Sequence, residues 1–197
     1  MQAELLDRWQ EIAGWLDGWF EPEQAEGNDF DSDERAVFAA LSVEWRGNED
    51  KLAALESASA RFGRDRVRDV VRRLCRNNTA AYWAGLTARE GGSLNDLIRL
   101  LWAPLVAQGF DFTMDRDETG LRIDCRRCPQ EQLAAALEAA GYGHARDWLY
   151  ELVCSTDFHV TGSFEPPIRF SRTQTLMQGH PHCDHTYTLG APRGLAG

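Results

Sequence analysis

"FDFTMDRDETGLRIDC", residues 110–125, is where the chain changes its period. In its first part Phe110, Phe112 and Met114 alternate with Asp111 and Thr113. In its last part Leu121, Ile123 and Cys125 alternate with Arg122 and Asp124. Alternation at a period of two places every second side chain on one face, as a half-buried strand requires. "DRDETG" between the two runs supplies turn formers, so the stretch predicts a β-hairpin with one buried face.

Working outward, Pro129 suits the first turn of a helix through Leu133 and Leu137 that closes at Gly141. A second helix carries Trp148, Leu149, Leu152 and Val153 and is expected to continue through Asp157. Two further strand-like runs follow, "IRFSRTQT" at 168–175 and "CDHTYTL" at 183–189, joined by the turn "MQGHPH". Upstream of the hairpin the period is that of a helix. Leu5, Trp9, Ile12, Leu16 and Trp19 recur at steps of three and four. "EPEQAEGNDFDSDE" then breaks the pattern, and Asp31 or Ser32 caps the next helix, which carries Val37, Phe38, Leu41 and Trp45 to Gly47. A helix from about 50 to 62 and a longer one ending before Gly91-Gly92 follow. Ser93 and Asp96 form a capping box that opens another, which Pro104 kinks near its end.

The expected fold is therefore α+β: an N-terminal helical half followed by a four-stranded antiparallel sheet covered by helices on one face. Residues 1–92 read as the helical region, 93–190 as the α+β domain and 191–197 as a frayed tail.

Composition narrows the function classes. At 197 residues with 43% apolar content, the chain can build a core without disulfide staples. A formal charge of −10 argues against nucleic acid as a partner. The basic run "RFGRDRVRDVVRRLCR" at 61–76 reads as the solvated face of an amphipathic helix. No apolar run reaches the roughly 20 residues of a membrane span. The N-terminus carries acid where a signal peptide needs a basic start, so a cytoplasmic location is expected. Five cysteines in a reducing compartment are thiols or metal ligands. Trp15 and Phe20, read as exposed, offer a face for a homodimer.

Strand parity selects the candidate site. In the last strand Cys183 and His185 share a face with Tyr187 and Leu189; in the third, Arg172 shares one with Ile168 and Phe170. Cys125 lies on the buried face of the hairpin. A face that begins apolar and ends in Cys, His and Arg marks a pocket at one end of the core. On the covering helix, Cys154, Asp157 and Thr161 fall on one stripe. Two chemistries fit this set. One is a thiol pocket with no cofactor. The other is zinc or another divalent metal held by Cys154, Asp157, Cys183 and His185. The C-x-x-C of "CRRC" lacks the second pair that a structural zinc site needs. Cys75 reads as core, and His180 and His182 as turn residues or a mobile lid.

"LVCSTDFHVTGSF" and "FSRTQTLMQGHPHCDHTY" together resemble the C-terminal signature of the L-2-amino-thiazoline-4-carboxylic acid hydrolase family. The matching positions are Cys154 and Asp157, Arg172 with Thr175 and Leu176, Gly179, and Cys183 with Asp184, over about residues 95 to 190. "DCRRCP" is similar to a Cys-Pro upstream in such proteins. The chain departs from the pattern at His185, where an aromatic residue is usual. The architecture is also similar to 4-vinyl reductase-type ligand-binding domains.

The resemblance implies hydrolysis of a C–N or C–S bond in a small cyclic amidine that carries a carboxylate. Cys183 or Cys154 would serve as nucleophile, Asp157 and His185 as proton-handling groups, and Arg172, Thr175, Cys125 and Asp184 as the substrate-binding set. A non-catalytic sensor of a small molecule or metal would use the same pocket without turnover.

Overall fold

The computed structural model describes residues 2–190, with side chains from Asp7 onward, so the expected frayed tail at 191–197 lies outside the described residues. The helices are α1 (Gln2–Leu16), α2 (Gln24–Gly27), α3 (Ser32–Gly47), α4 (Lys51–Phe62), α5 (Arg64–Glu90), α6 (Leu94–Leu97), α7 (Ala103–Ala107), α8 (Pro129–Ala139) and α9 (Ala145–Leu152). The strands are β1 (Asp111–Asp117), β2 (Gly120–Arg127), β3 (Ile168–Ser171) and β4 (Cys183–Leu189). The fold is α+β, with a helical N-terminal half and one antiparallel sheet in the order β1-β2-β4-β3.

The chain forms two compact units. The first runs as far as Asn78 and regains Leu133–Ser155; the second holds Thr79–Gln132 and the chain from Thr156 onward. Within the first, Asp31 caps α3 in a reciprocal box with Glu34, and the Asp50 carboxylate accepts from two N–H groups at the start of α4. Phe20 corrects an expectation: it is fully buried and stacks on Trp45 at 3.9 Å, while Trp15 alone of that pair is exposed. The basic run is paired as well as solvated. Arg72 grips the buried Glu151 through two hydrogen bonds of 3.0 and 2.5 Å, and Arg73 pairs with Glu34.

The second unit carries the sheet. Trp83 from the end of α5, Leu94 and Leu97 from α6, and Val160 and Phe164 from the 3-10 turns cover Leu121, Ile123, Ile168 and Tyr187 on its inner face. Two sequence expectations change here. β1 is an edge strand whose residues are largely exposed, Met114 among them, while Phe112 packs partly buried against the core. The helix expected to kink at Pro104 instead widens into a π-turn over Ile98–Trp102, in which the Ala103 N–H donates to the Ile98 carbonyl. Proline has no N–H for the carbonyl four residues back and its ring crowds that carbonyl, so the turn before it opens.

Candidate active site

Register decides which inward side chains meet. β4 lies between β2 and β3, and Cys125 faces Cys183, Ile123 faces His185 and Leu121 faces Tyr187 across the β2–β4 pair. His185 is therefore in the middle of the sheet and buried. The chain that reaches it is not the helix expected from the sequence. α9 ends at Leu152, and a 3-10 segment over Cys154–His159 follows. Ser155 donates its hydroxyl to the Glu151 carbonyl at 2.6 Å, a back-bond that competes with continued α-helix. The stripe through Cys154, Asp157 and Thr161 is thereby lost, yet Asp157 still reaches the site.

Asp157 Oδ2 is its centre. Arg172 Nη1, just past the end of β3, donates to that oxygen at 2.5 Å, and His185 Nε2 approaches the same oxygen at 3.4 Å. The Arg172 side chain is only 3% exposed against 24% for Asp157, so the pair opens to solvent from the carboxylate side. Aromatic rings enclose it. Arg172 lies over Phe158 at 5.3 Å and Phe170 at 6.0 Å, within cation–π range. Trp102 meets the His185 ring edge-on at 4.9 Å, and Phe170 tilts against it at 5.7 Å. Phe158 is the exposed ring of the group and forms its rim. His185 Nδ1 is buried with no hydrogen-bond partner among the described residues.

The loop before β4 is held by the residues of the signature. The Asp184 carboxylate accepts from the Thr173 N–H (2.9 Å), the Thr173 hydroxyl (2.6 Å) and the Gln174 N–H (2.6 Å). Its partial burial pulls the acid upward, but these hydrogen bonds outweigh that and hold it below the ordinary aspartate value. Thr175 caps the 3-10 turn Leu176–Gln178, and Gly179 closes it at φ +84°, a conformation that favours glycine. The Cys183 thiol donates to Thr175 Oγ1 at 3.4 Å and accepts from the Leu176 N–H at 3.2 Å. Asp184 and Thr175, expected as substrate-binding residues, make loop-fixing contacts here.

Cys125 and Cys128 lie in the same unit. Burial pushes the Cys125 thiol up to about 12, with the neighbouring thiols of Cys183 and Cys128 adding to it. Burial likewise raises Cys128 to about 11. Both stay protonated near neutral pH. Cys154 is half-buried and belongs to the first unit, and Cys75 is fully buried there. Among the described residues, no group of three or more His, Cys, Asp and Glu side chains is placed to hold a metal ion. His180 is exposed and His182 half-buried.

Sequence reasoning missed Trp102, Phe158 and the hydroxyl of Tyr187. Tyrosine on an inward strand face was the available signal, since a buried hydroxyl usually finds a partner.

A family model described as L-2-amino-thiazoline-4-carboxylic acid hydrolase matches residues 34–187. No curated protein and no solved structure matches the chain.

Proposed function

Because the chain belongs to the L-2-amino-thiazoline-4-carboxylic acid hydrolase family, we propose that it adds water to the amidine-like carbon of a small cyclic substrate bearing a carboxylate, opening a ring C–N or C–S bond. The observation that carries this reading is the Asp157 oxygen shared by Arg172 and His185 beneath an aromatic rim.

Attack on the amidine carbon requires a proton to leave the nucleophile and another to reach the departing ring atom. His185 performs both transfers through Nδ1, while Asp157 at Nε2 orients the ring and balances the imidazolium that forms. Arg172 fixes the Asp157 carboxylate rather than acting first as a clamp for the substrate. General acid–base catalysis of this kind contributes about 10²- to 10⁴-fold. The ring-shaped substrate slides against Phe158 and Phe170, whose faces suit a flat heterocycle.

Two nucleophiles fit. In one, the Cys183 sulfur, two residues from His185 on the same strand face and about 7 Å along the strand, bonds to the amidine carbon as the ring bond breaks, and water then displaces the sulfur. Alternatively, His185 activates water directly and Cys183 only anchors the loop. A zinc- or other metal-assisted route stands as a separate proposal, tested by activity after chelation.

Incubating purified protein with L-2-amino-thiazoline-4-carboxylate and following it by mass spectrometry tests the reading. The expected product is the substrate plus one water. Saturable binding with no product assigns the chain to the sensor reading instead. Loss of turnover in Cys183→Ala with an unchanged Tm selects the thiol route, and retention of turnover selects water.

A further inference from the structure

Two buried donors beside the dyad are unused by the mechanism above. Tyr187 is 1% exposed and Trp102 3% exposed, and their rings meet edge-on at 6.4 Å. The Tyr187 hydroxyl and the Trp102 indole N–H each have no hydrogen-bond partner among the described residues. The indole N–H is close enough to the hydroxyl to favour its anion, yet the two do not reach hydrogen-bond geometry.

A buried polar group with no partner is costly, and native chains retain few of them. Two together beside a catalytic dyad call for a reason. The backbone supplies an independent pointer. Trp102 is the last residue of the π-turn, a rare feature that recurs at functional sites. An α-helical course there would rotate the indole to a different direction.

Resting on the reaction proposed above, we propose that Tyr187 Oη–H and Trp102 Nε1–H form a two-donor subsite for the carboxylate of the substrate. Both groups offer a hydrogen, and an indole N–H cannot accept one, so the ligand atom must be an acceptor. Burial holds the Tyr187 phenol neutral, far above its ordinary value, so it remains a donor across the physiological range. Asp157 opposes negative charge at the Tyr187 oxygen, and Arg172, paired with it at 2.5 Å, offsets part of that repulsion. The surrounding rings of Phe170 and Phe112 strengthen each donor by excluding water.

Tyr187→Phe and Trp102→Phe test the subsite, assayed on L-2-amino-thiazoline-4-carboxylate and on its methyl ester. Each variant should lose about 10- to 100-fold in kcat/KM on the carboxylate, mostly through KM. Each should change less than about 3-fold on the ester. Tyr187→Phe removes an unpaired buried group, so its Tm should stay level or rise. Equal losses on acid and ester, or unchanged kinetics with a lowered Tm, would overturn the subsite and make the hydroxyl structural. If the wild type hydrolyses neither compound, the reaction fails and the subsite is read by nuclear magnetic resonance. The Trp102 indole resonance, assigned by its loss in Trp102→Phe, should then move on adding the acid and not the ester. No movement overturns the subsite.

Discussion

Removing the Asp157 carboxylate is the sharpest perturbation of the site, because the burial of its two partners is unequal. Arg172 is 3% exposed and cannot turn to water, whereas Asp157 is 24% exposed. Asp157→Ala leaves a guanidinium inside the aromatic walls without its 2.5 Å partner. Breaking a buried pair from one side costs about 3–5 kcal/mol. For a chain of this length each kcal/mol moves the melting point by about 2–4 °C, so a drop of about 6–20 °C is expected. Asp157→Asn keeps an acceptor of the same shape and loses only the charge. Exchanging a charge-assisted bond for a neutral one costs about 1–2 kcal/mol, or about 2–8 °C. Urea unfolding of wild type and both variants, at a common m-value, measures the series. Both variants should also lose about 10²- to 10⁴-fold in kcat/KM, since the imidazole loses its orienting anion. An Asp157→Ala cost under about 1 kcal/mol, or an Asn variant as damaging as Ala, would refute the claim that this carboxylate neutralises a buried charge.

Three further outcomes follow from other contacts. Asp184 is held below its ordinary value in the folded chain, so its stabilisation is complete above the unfolded value of about 3.9 and vanishes as pH falls through the lower folded value. Asp184→Asn should therefore be less stable than wild type at pH 7, and the gap should close on acidification toward about pH 2; a gap independent of pH contradicts this. Gly120→Ala would place a Cβ 2.0 Å from the Tyr187 carbonyl oxygen across the β2–β4 pair, and should cost about 3 kcal/mol or more in urea unfolding. A change under about 1 kcal/mol would show that the strands can part there. With Cys125 raised to about 12 and Cys128 to about 11, both should react with iodoacetamide at pH 8 at least about 100-fold more slowly than a peptide thiol. Peptide mapping that finds rapid native-state labelling at either position would disprove their protonated, buried state.

Much of the second unit was legible because a period of two leaves little freedom. Once Leu121 and Ile123 are taken as inward, Cys125 must follow, and Tyr187 carries His185 and Cys183 with it. The Ser93–Asp96 box was readable for a similar reason, being a local exchange of hydrogen bonds, and the cap of α3 was placed at Asp31 or Ser32 without its reciprocal partner Glu34. What the sequence hid is what local pattern does not encode. The end of α9 depends on a serine back-bond and on a 3-10 segment that the apolar spacing of Leu152 and Val153 does not announce. Pro104 signalled a disturbance but not its kind, so the π-turn that sets Trp102 could not be read. The partner of Arg172 was equally hidden. A guanidinium near a pocket reads as a substrate clamp until the fold brings an aspartate from fifteen residues upstream to meet it. Thr175 and Asp184 were noticed as part of a signature, and their geometry ties them to the loop that presents β4.

In the proposed reaction His185, aligned by Asp157, moves the protons of a ring-opening hydrolysis. The most direct measurement is kcat/KM of His185→Gln on L-2-amino-thiazoline-4-carboxylate beside wild type, with folding checked by circular dichroism. The expected result is a folded variant whose kcat/KM falls by about 10²- to 10⁴-fold. A folded His185→Gln that retains wild-type turnover would contradict it.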